Sequence, residues 1–267
     1  MLRRTKREPG VADELPERIE SIEHCALTRE QAALYEAVTR DLLLHIEQSR
    51  GMERRAAILL ALLRLKQICD HPALYAGDGR ALEGGSGKLE RLEALLDEVL
   101  AEGEAALVFT QFAAWARLLT AHLRRRAGPE VPVLLLEGAT PAADRARAVA
   151  AFQASTGPAV FVLSLKAGGA GLNLTAARHV FHYDRWWNPA VEQQATDRAH
   201  RIGQTATVQV HKFLCPGTLE ERIDELIRRK EGLALDVLGG RGEAWLTELS
   251  DGELRDVLLL RRAALAE

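Results

Sequence analysis

Apolar positions along this chain recur first at helical spacing, then in short runs, then at helical spacing again. Behind Thr28, a plausible N-cap with Gln31 three residues on, Leu34, Val38, Leu42 and Ile46 line one face of a long predicted helix. Gly51 interrupts it. Ile58, Leu59, Leu62, Leu63 and Leu65 then predict a second helix ending near Pro72, because a proline disfavours helical geometry in the residue before it. The pair reads as a helical hairpin. Residues 77–87 are rich in glycine and read as a flexible loop, after which Leu89, Leu92, Leu95, Leu96, Val99 and Leu100 mark another helix.

From residue 105 the pattern alternates. Apolar runs predict strands at 105–109, 131–136, 159–163, 179–183 and 207–214, with helices at 113–126, 141–152 and 190–200 between them. Pro141 suits a first helical turn. Such alternation implies an α/β fold, a parallel sheet with helices on both faces. Residues 218–230 and 243–266 read as helices, whereas residues 1–27, charged and holding Pro9, Gly10 and Pro16, read as an extended connector. The expected organisation is a connector (1–27), a helical hairpin (28–76), a loop (77–87), the α/β unit (88–216) and terminal helices (217–267).

Composition narrows the function. With 267 residues, 47% hydrophobic and 27% charged, the chain can bury a sizeable core. A net charge of -3 means that nucleic-acid binding has to come from a local basic surface. The three cysteines, Cys25, Cys69 and Cys215, are far apart and form no CxxC pair, so neither a disulfide framework nor a zinc site is expected, and a reducing cytoplasm fits. The basic start has no apolar stretch behind it, and no window has the roughly 18 apolar residues of a membrane span, so neither secretion nor membrane insertion is expected.

In open α/β sheets ligands bind beyond the carboxyl ends of the strands, which directs attention to the residues following each one. Gln111 and Thr140 follow two of them; such side chains can bond phosphates or cap helices. Ser164, Lys166, Gly168, Gly169, Gly171 and Asn173 follow the third, and the glycines permit close backbone approach to an anion or simply a tight turn. Leu174 stands where a dinucleotide fingerprint needs its third glycine, which argues against a nucleotide-cofactor enzyme. Residues 84–88, GGSGK, imitate a phosphate-binding loop but lack the first glycine (Leu82), the following Ser or Thr (Leu89) and a leading strand; they read as linker and helix start. Trp186 and Trp187 are adjacent, so one fills a hydrophobic corner and the other is available to stack on DNA.

The most informative stretch is the predicted helix 190–200. Gln194, Asp197, Arg198 and Arg201 are spaced to share one face, beside an apolar stripe of Val191, Ala195, Ala199 and Ile202. A solvated face with an Asp197–Arg201 pair, worth about 0.3–0.5 kcal/mol, leaves Gln194, Gly203 and Gln204 unexplained.

Together these segments resemble the carboxyl-terminal half of SWI/SNF-type ATPases, helicase-like motors with two RecA-like lobes, and most of all bacterial and archaeal members. LVFTQF (107–112) looks like motif IV, SLKAGGAGLNL (164–174) like motif V and QQATDRAHRIGQ (193–204) like motif VI; LRRTK (2–6) resembles the exit from lobe 1, LKQICDHPAL (65–74) the protrusion, and residues 242–258 the prokaryotic tail. The resemblance implies a RecA-like second lobe of a double-stranded-DNA translocase that uses ATP with Mg²⁺ held by lobe 1, in a cytoplasmic, nucleoid-associated protein. It implies Arg198 and Arg201 as arginine fingers, and Gln194, Asp197, Gly168, Gly169 and Gly171 as support for the ATP cleft. DNA contacts would fall to Gln111, Thr140, Ser164, Lys166, Asn173 and Trp187, with no metal ligand among them. No Walker A sequence or Asp-Glu box occurs here, so the chain alone is expected to be inactive. The competing expectation is a catalytically inert DNA- or protein-binding module with the same fold.

Overall fold

The computed structural model describes residues 15–165, 171–231, 244–261 and 264. The chain divides into two compact units, one formed by Met1–Ser21, Leu96–His182 and Val191–Lys212, the other by Ile22–Leu95, Tyr183–Ala190 and Phe213–Glu267.

The first unit contains the α/β core. Strand β1 (Arg18–His24) comes first in the chain; after four helices described below come β2 (Ala105–Thr110), α5 (Ala113–Ala127), β3 (Val133–Leu136), α6 (Ala142–Gln153), β4 (Ala159–Ser164), β5 (His179–His182), α7 (Pro189–Thr196) and β6 (Val208–Leu214). The sheet order is β1-β6-β5-β2-β4-β3, and β3–β4, β4–β2, β2–β5 and β5–β6 are all parallel, as expected. Every residue of β2, β4 and β5 is buried, the signature of strands covered on both faces. Their core includes Leu107, Phe109, Phe161, Leu163, Leu174 and Val180. The chain returns to place β4 beside β2 and then continues on the opposite side with β5, so the order reverses around β2, and the ligand position of such a sheet lies at the carboxyl ends there.

Two differences from the sequence reading concern this unit. Part of the expected connector is strand β1, whose exposed and half-buried residues disguise it as a charged linker. Helix α7 stops at Thr196 instead of continuing to residue 200. Beyond it the backbone tightens: Arg198 N bonds Ala195 O at 3.2 Å and Ala199 N bonds Thr196 O at 3.0 Å, both across three residues.

The second unit is mostly helical. α1 (Arg29–Gln48) opens with the expected capping box, in which Thr28 Oγ1 accepts from Gln31 N and the Gln31 side chain accepts from Thr28 N. α2 (Gly51–Asp70), a short α3 (Pro72–Ala76) and α4 (Gly87–Ala101) follow, with α8 (Leu219–Glu231), a 3₁₀ turn (Ala244–Glu248) and α9 (Asp251–Leu258) later in the chain. Tyr35, Ile58, Leu65, Ile68, Leu219, Ile223 and Leu258 build their common core. The loop expected to be flexible is anchored here: Leu82 is buried, Ser86 Oγ donates to Asp70 O at 2.6 Å, and a Cβ on Gly87 would lie 2.0 Å from Ala26 O. Among the described residues no helix is long and apolar enough to cross a membrane.

Candidate nucleotide and nucleic-acid interface

β2 and β4 end side by side, with Thr110 opposite Ser164. Thr110 Oγ1 accepts from Phe112 N at 3.2 Å and so shapes the turn that presents half-buried Gln111. Ser164 is 2% exposed and its Oγ has no hydrogen-bond partner among the described residues. An orphaned buried hydroxyl costs roughly 1–3 kcal/mol, so its position at a strand end is consistent with a ligand-facing role. Thr140 is committed locally: its Oγ1 accepts from Glu137 N at 3.0 Å while its own N–H bonds Glu137 O at 3.0 Å. Its hydroxyl proton remains for another acceptor.

Lys166, Gly168 and Gly169 lie outside the described residues. Gly171 has φ +102, a conformation that side-chain-bearing residues rarely adopt, and nothing lies within 4 Å of a Cβ built there, so backbone conformation and not crowding calls for glycine. Asn173 is exposed. Directly after it, Leu174 N donates to Arg198 O at 2.9 Å. On the other side Gln153 of α6 accepts from Ala176 N at 2.9 Å and donates to Thr175 Oγ1 at 3.2 Å.

The arginine segment departs from the helical stripe expected for it. Gln194 remains on α7 and is exposed, but Arg198 and Arg201 stand in the turns beyond Thr196. Arg198 is only 7% exposed, and burial pulls its guanidinium below the usual arginine range. Arg201 is exposed. Asp197 accepts from Gln193 Nε2 at 2.8 Å. The apolar stripe is corrected as well. Ala195 and Ala199 enter the core, but Ile202 is 62% exposed because the helix no longer turns it inward.

Trp187 is also corrected. It is 4% exposed, belongs to the helical unit's core and lies beneath Lys66 Nζ, 3.9 Å from the ring centroid. A stacking platform needs an open ring face, which this one lacks. The neighbouring Trp186 is half-buried.

Sequence reasoning missed His182 as an anchor of the site and left Gln204 without a role. His182 at the end of β5 pairs its Nε2 with Thr196 Oγ1 at 2.9 Å, tying the sheet to the end of α7. Gln204 is 6% exposed and spends its whole amide on backbone groups. A further group comes together in the helical unit, where ligand atoms of Cys69, Cys215 and Glu220 lie within 4.8 Å of one another. Lys88 Nζ already meets Glu220 Oε1 at 2.6 Å, and burial pushes the Cys215 thiol well up, away from the thiolate a metal requires.

The model of the helicase conserved C-terminal domain matches residues 87–203, and that of the SNF2-related domain residues 1–74. The solved C-terminal domain of the Sulfolobus solfataricus SWI2/SNF2 ATPase is 40% identical, with a TM-score of 0.78 over 92% of this chain and 100% of that one. The chain belongs to the SWI2/SNF2 ATPase family, as its helicase C-terminal lobe. The S. solfataricus SWI2/SNF2 core solved in complex with double-stranded DNA is 40% identical to this SWI2/SNF2 lobe, with a TM-score of 0.80 over 97% of the lobe and 54% of that chain. YwqA of Bacillus subtilis, whose name denotes an ATP-dependent helicase/translocase, is 47% identical over 266 residues, 99% of the lobe and 28% of YwqA. The SWI2/SNF2 lobe therefore spans little more than a quarter of that relative and about half of the solved core.

Proposed function

We propose that this chain is the second motor lobe of an ATP-dependent double-stranded-DNA translocase, cytoplasmic and working on nucleoid DNA. On this reading ATP and its Mg²⁺ are held mainly by lobe 1, while residues 88–216 form the RecA-like lobe, 28–76 its protrusion and 217–267 its bracing helices. The observation that carries the proposal is the pairing of two elements at one sheet end. The segment bearing Asn173 is bonded through Leu174 to the segment bearing Arg198 and Arg201.

Exposed Arg201 is the finger that meets charge developing on the transferred phosphoryl group, with buried Arg198 as the second arginine of the segment. A finger of this kind contributes about 10³–10⁵ in rate. Gln194 and Asp197 shape its approach. Ser164, Asn173, Gln111 and the remaining proton of Thr140 face DNA phosphates, with Lys166 adding charge, so binding is insensitive to sequence and weakened by salt.

The test is DNA-stimulated hydrolysis by the full-length protein and its Arg201→Ala variant, with this chain alone as a control. The variant should lose at least about 10³-fold in kcat, and the lone chain should not turn over ATP. Hydrolysis undiminished in Arg201→Ala removes the assignment of Arg201 as the finger, and a full-length protein with no DNA-stimulated hydrolysis favours an inert binding module.

A further inference from the structure

Gln204 lies one turn past the arginines, and all its side-chain hydrogen-bonding capacity is used. Its Nε2 donates to Thr175 O at 3.0 Å and Ala177 O at 2.9 Å, with Ala199 O a longer contact at 3.4 Å. Its Oε1 accepts from Thr205 N at 2.9 Å and Ala206 N at 3.1 Å. Its own backbone N–H bonds Arg201 O at 2.9 Å. One amide thus joins three pieces of backbone: the arginine turn, the segment just after Asn173, and the entry to β6. With Leu174 N on Arg198 O, it forms a two-point fastening between the proposed DNA-facing segment and the proposed finger.

We propose that Gln204 is a positioning residue that couples DNA engagement at Asn173 to the placement of Arg201; this rests on the reading of the lobe given above. The geometry suits the task. The bonds run to carbonyls of residues 175 and 177 and not to side chains, so a shift of that segment is transmitted directly to the turn carrying Arg201. Ordered donors and acceptors in a buried position resist slippage, since a broken bond would leave a polar group unsatisfied. A misplacement of about 1 Å at a reacting centre costs on the order of 10²-fold in rate, so a small loosening here is enough to remove the response to DNA.

Gln204→Glu keeps the shape and the acceptor but sets a carboxylate against three carbonyls; Gln204→Met keeps the bulk and removes both functions. In the full-length protein, ATP hydrolysis is measured with and without duplex DNA, alongside DNA affinity and the thermal midpoint. The expected result in either variant is a DNA-stimulated kcat about 10²-fold lower, a fall larger than that of the basal rate so that the ratio of the two drops, with KM for ATP and DNA affinity changed by no more than about threefold. Full DNA stimulation in a folded variant overturns the coupling, as does an equal fall in basal and stimulated rates. Hydrogen exchange on the unmodified protein gives a test that needs no variant. Adding duplex DNA without nucleotide should change protection of residues 172–177 and 198–206 together, and a change confined to the first segment refutes the idea. Arg201→Ala, assayed in parallel, separates the two claims: if it remains active the finger reading fails, whereas a dead Arg201→Ala with a fully stimulated Gln204→Glu removes the coupling alone.

Discussion

Lys88 and Glu220 meet at 2.6 Å with neither side chain reaching solvent, and Asp70 completes the group at 2.9 Å from the same ammonium. Tyr183 OH donates to Asp70 O at 3.0 Å, so the string that imitates a phosphate loop ends in a buried ionic lock. Lys88→Met should destabilise the protein by about 3–5 kcal/mol, because it strands carboxylates that have left water. Urea unfolding of the chain measures this, and a loss below about 1 kcal/mol, the range of an exposed pair, would contradict the lock.

Burial pushes the Asp70 carboxyl well above the usual range; Lys88 opposes the shift, while Asp184 and Glu220 reinforce it. A carboxyl whose folded pKa is raised contributes stability that is fully present below its unfolded value, about 4, and is lost as pH rises through the folded value. Stability attributable to Asp70 should therefore decline from about pH 4 upward. Asp70→Asn should flatten that slope in unfolding free energies measured across pH, and a slope unchanged in the variant would count against the shift.

The two arginines should separate under substitution. Arg201→Ala, at an exposed position, should leave unfolding free energy within about 0.5 kcal/mol of the parent. Arg198→Ala removes a buried stem and should cost about 1–3 kcal/mol in addition to its effect on hydrolysis. Urea midpoints of both variants decide the matter, and equal stability losses would show that the burial difference has no energetic weight.

Trp187→Leu tests the corrected role of the tryptophan pair. Loss of the ring from the core and from beneath Lys66 should destabilise by about 1–3 kcal/mol. DNA affinity of the full-length protein should hold within about twofold, against the 1–3 kcal/mol per base that a lost stacking platform removes. A large affinity loss in a stable variant would return Trp187 to the DNA surface.

Much of the architecture was legible because β2, β4 and β5 are buried throughout and announce themselves as apolar runs. β1 was not, since its burial is partial and its sequence, RIESIEH, is charged at every second or third position. Helical spacing carried the reading of α7 too far. Nothing local signals that the Arg198 carbonyl is taken by Leu174, a partner distant in sequence, or that the backbone tightens after Thr196. Gln153 was invisible and Gln204, though singled out, was left without a role for the same reason, since both act largely on main-chain groups that leave no side-chain pattern. Lys88 was read as a helix start, and α4 does open at Gly87, but its burial was not legible, because tertiary packing of Ser86 and Gly87 draws it inward.

The join between the Asn173 segment and the arginine turn is made through peptide groups of Leu174, Thr175, Ala177 and Arg198, held by the single side chain of Gln204. Residue identities along the outward edge of that join can consequently drift without dismantling it. A motor assembled in this manner can be retuned toward a different track by exchanging surface side chains, while the transmission beneath them is inherited unchanged.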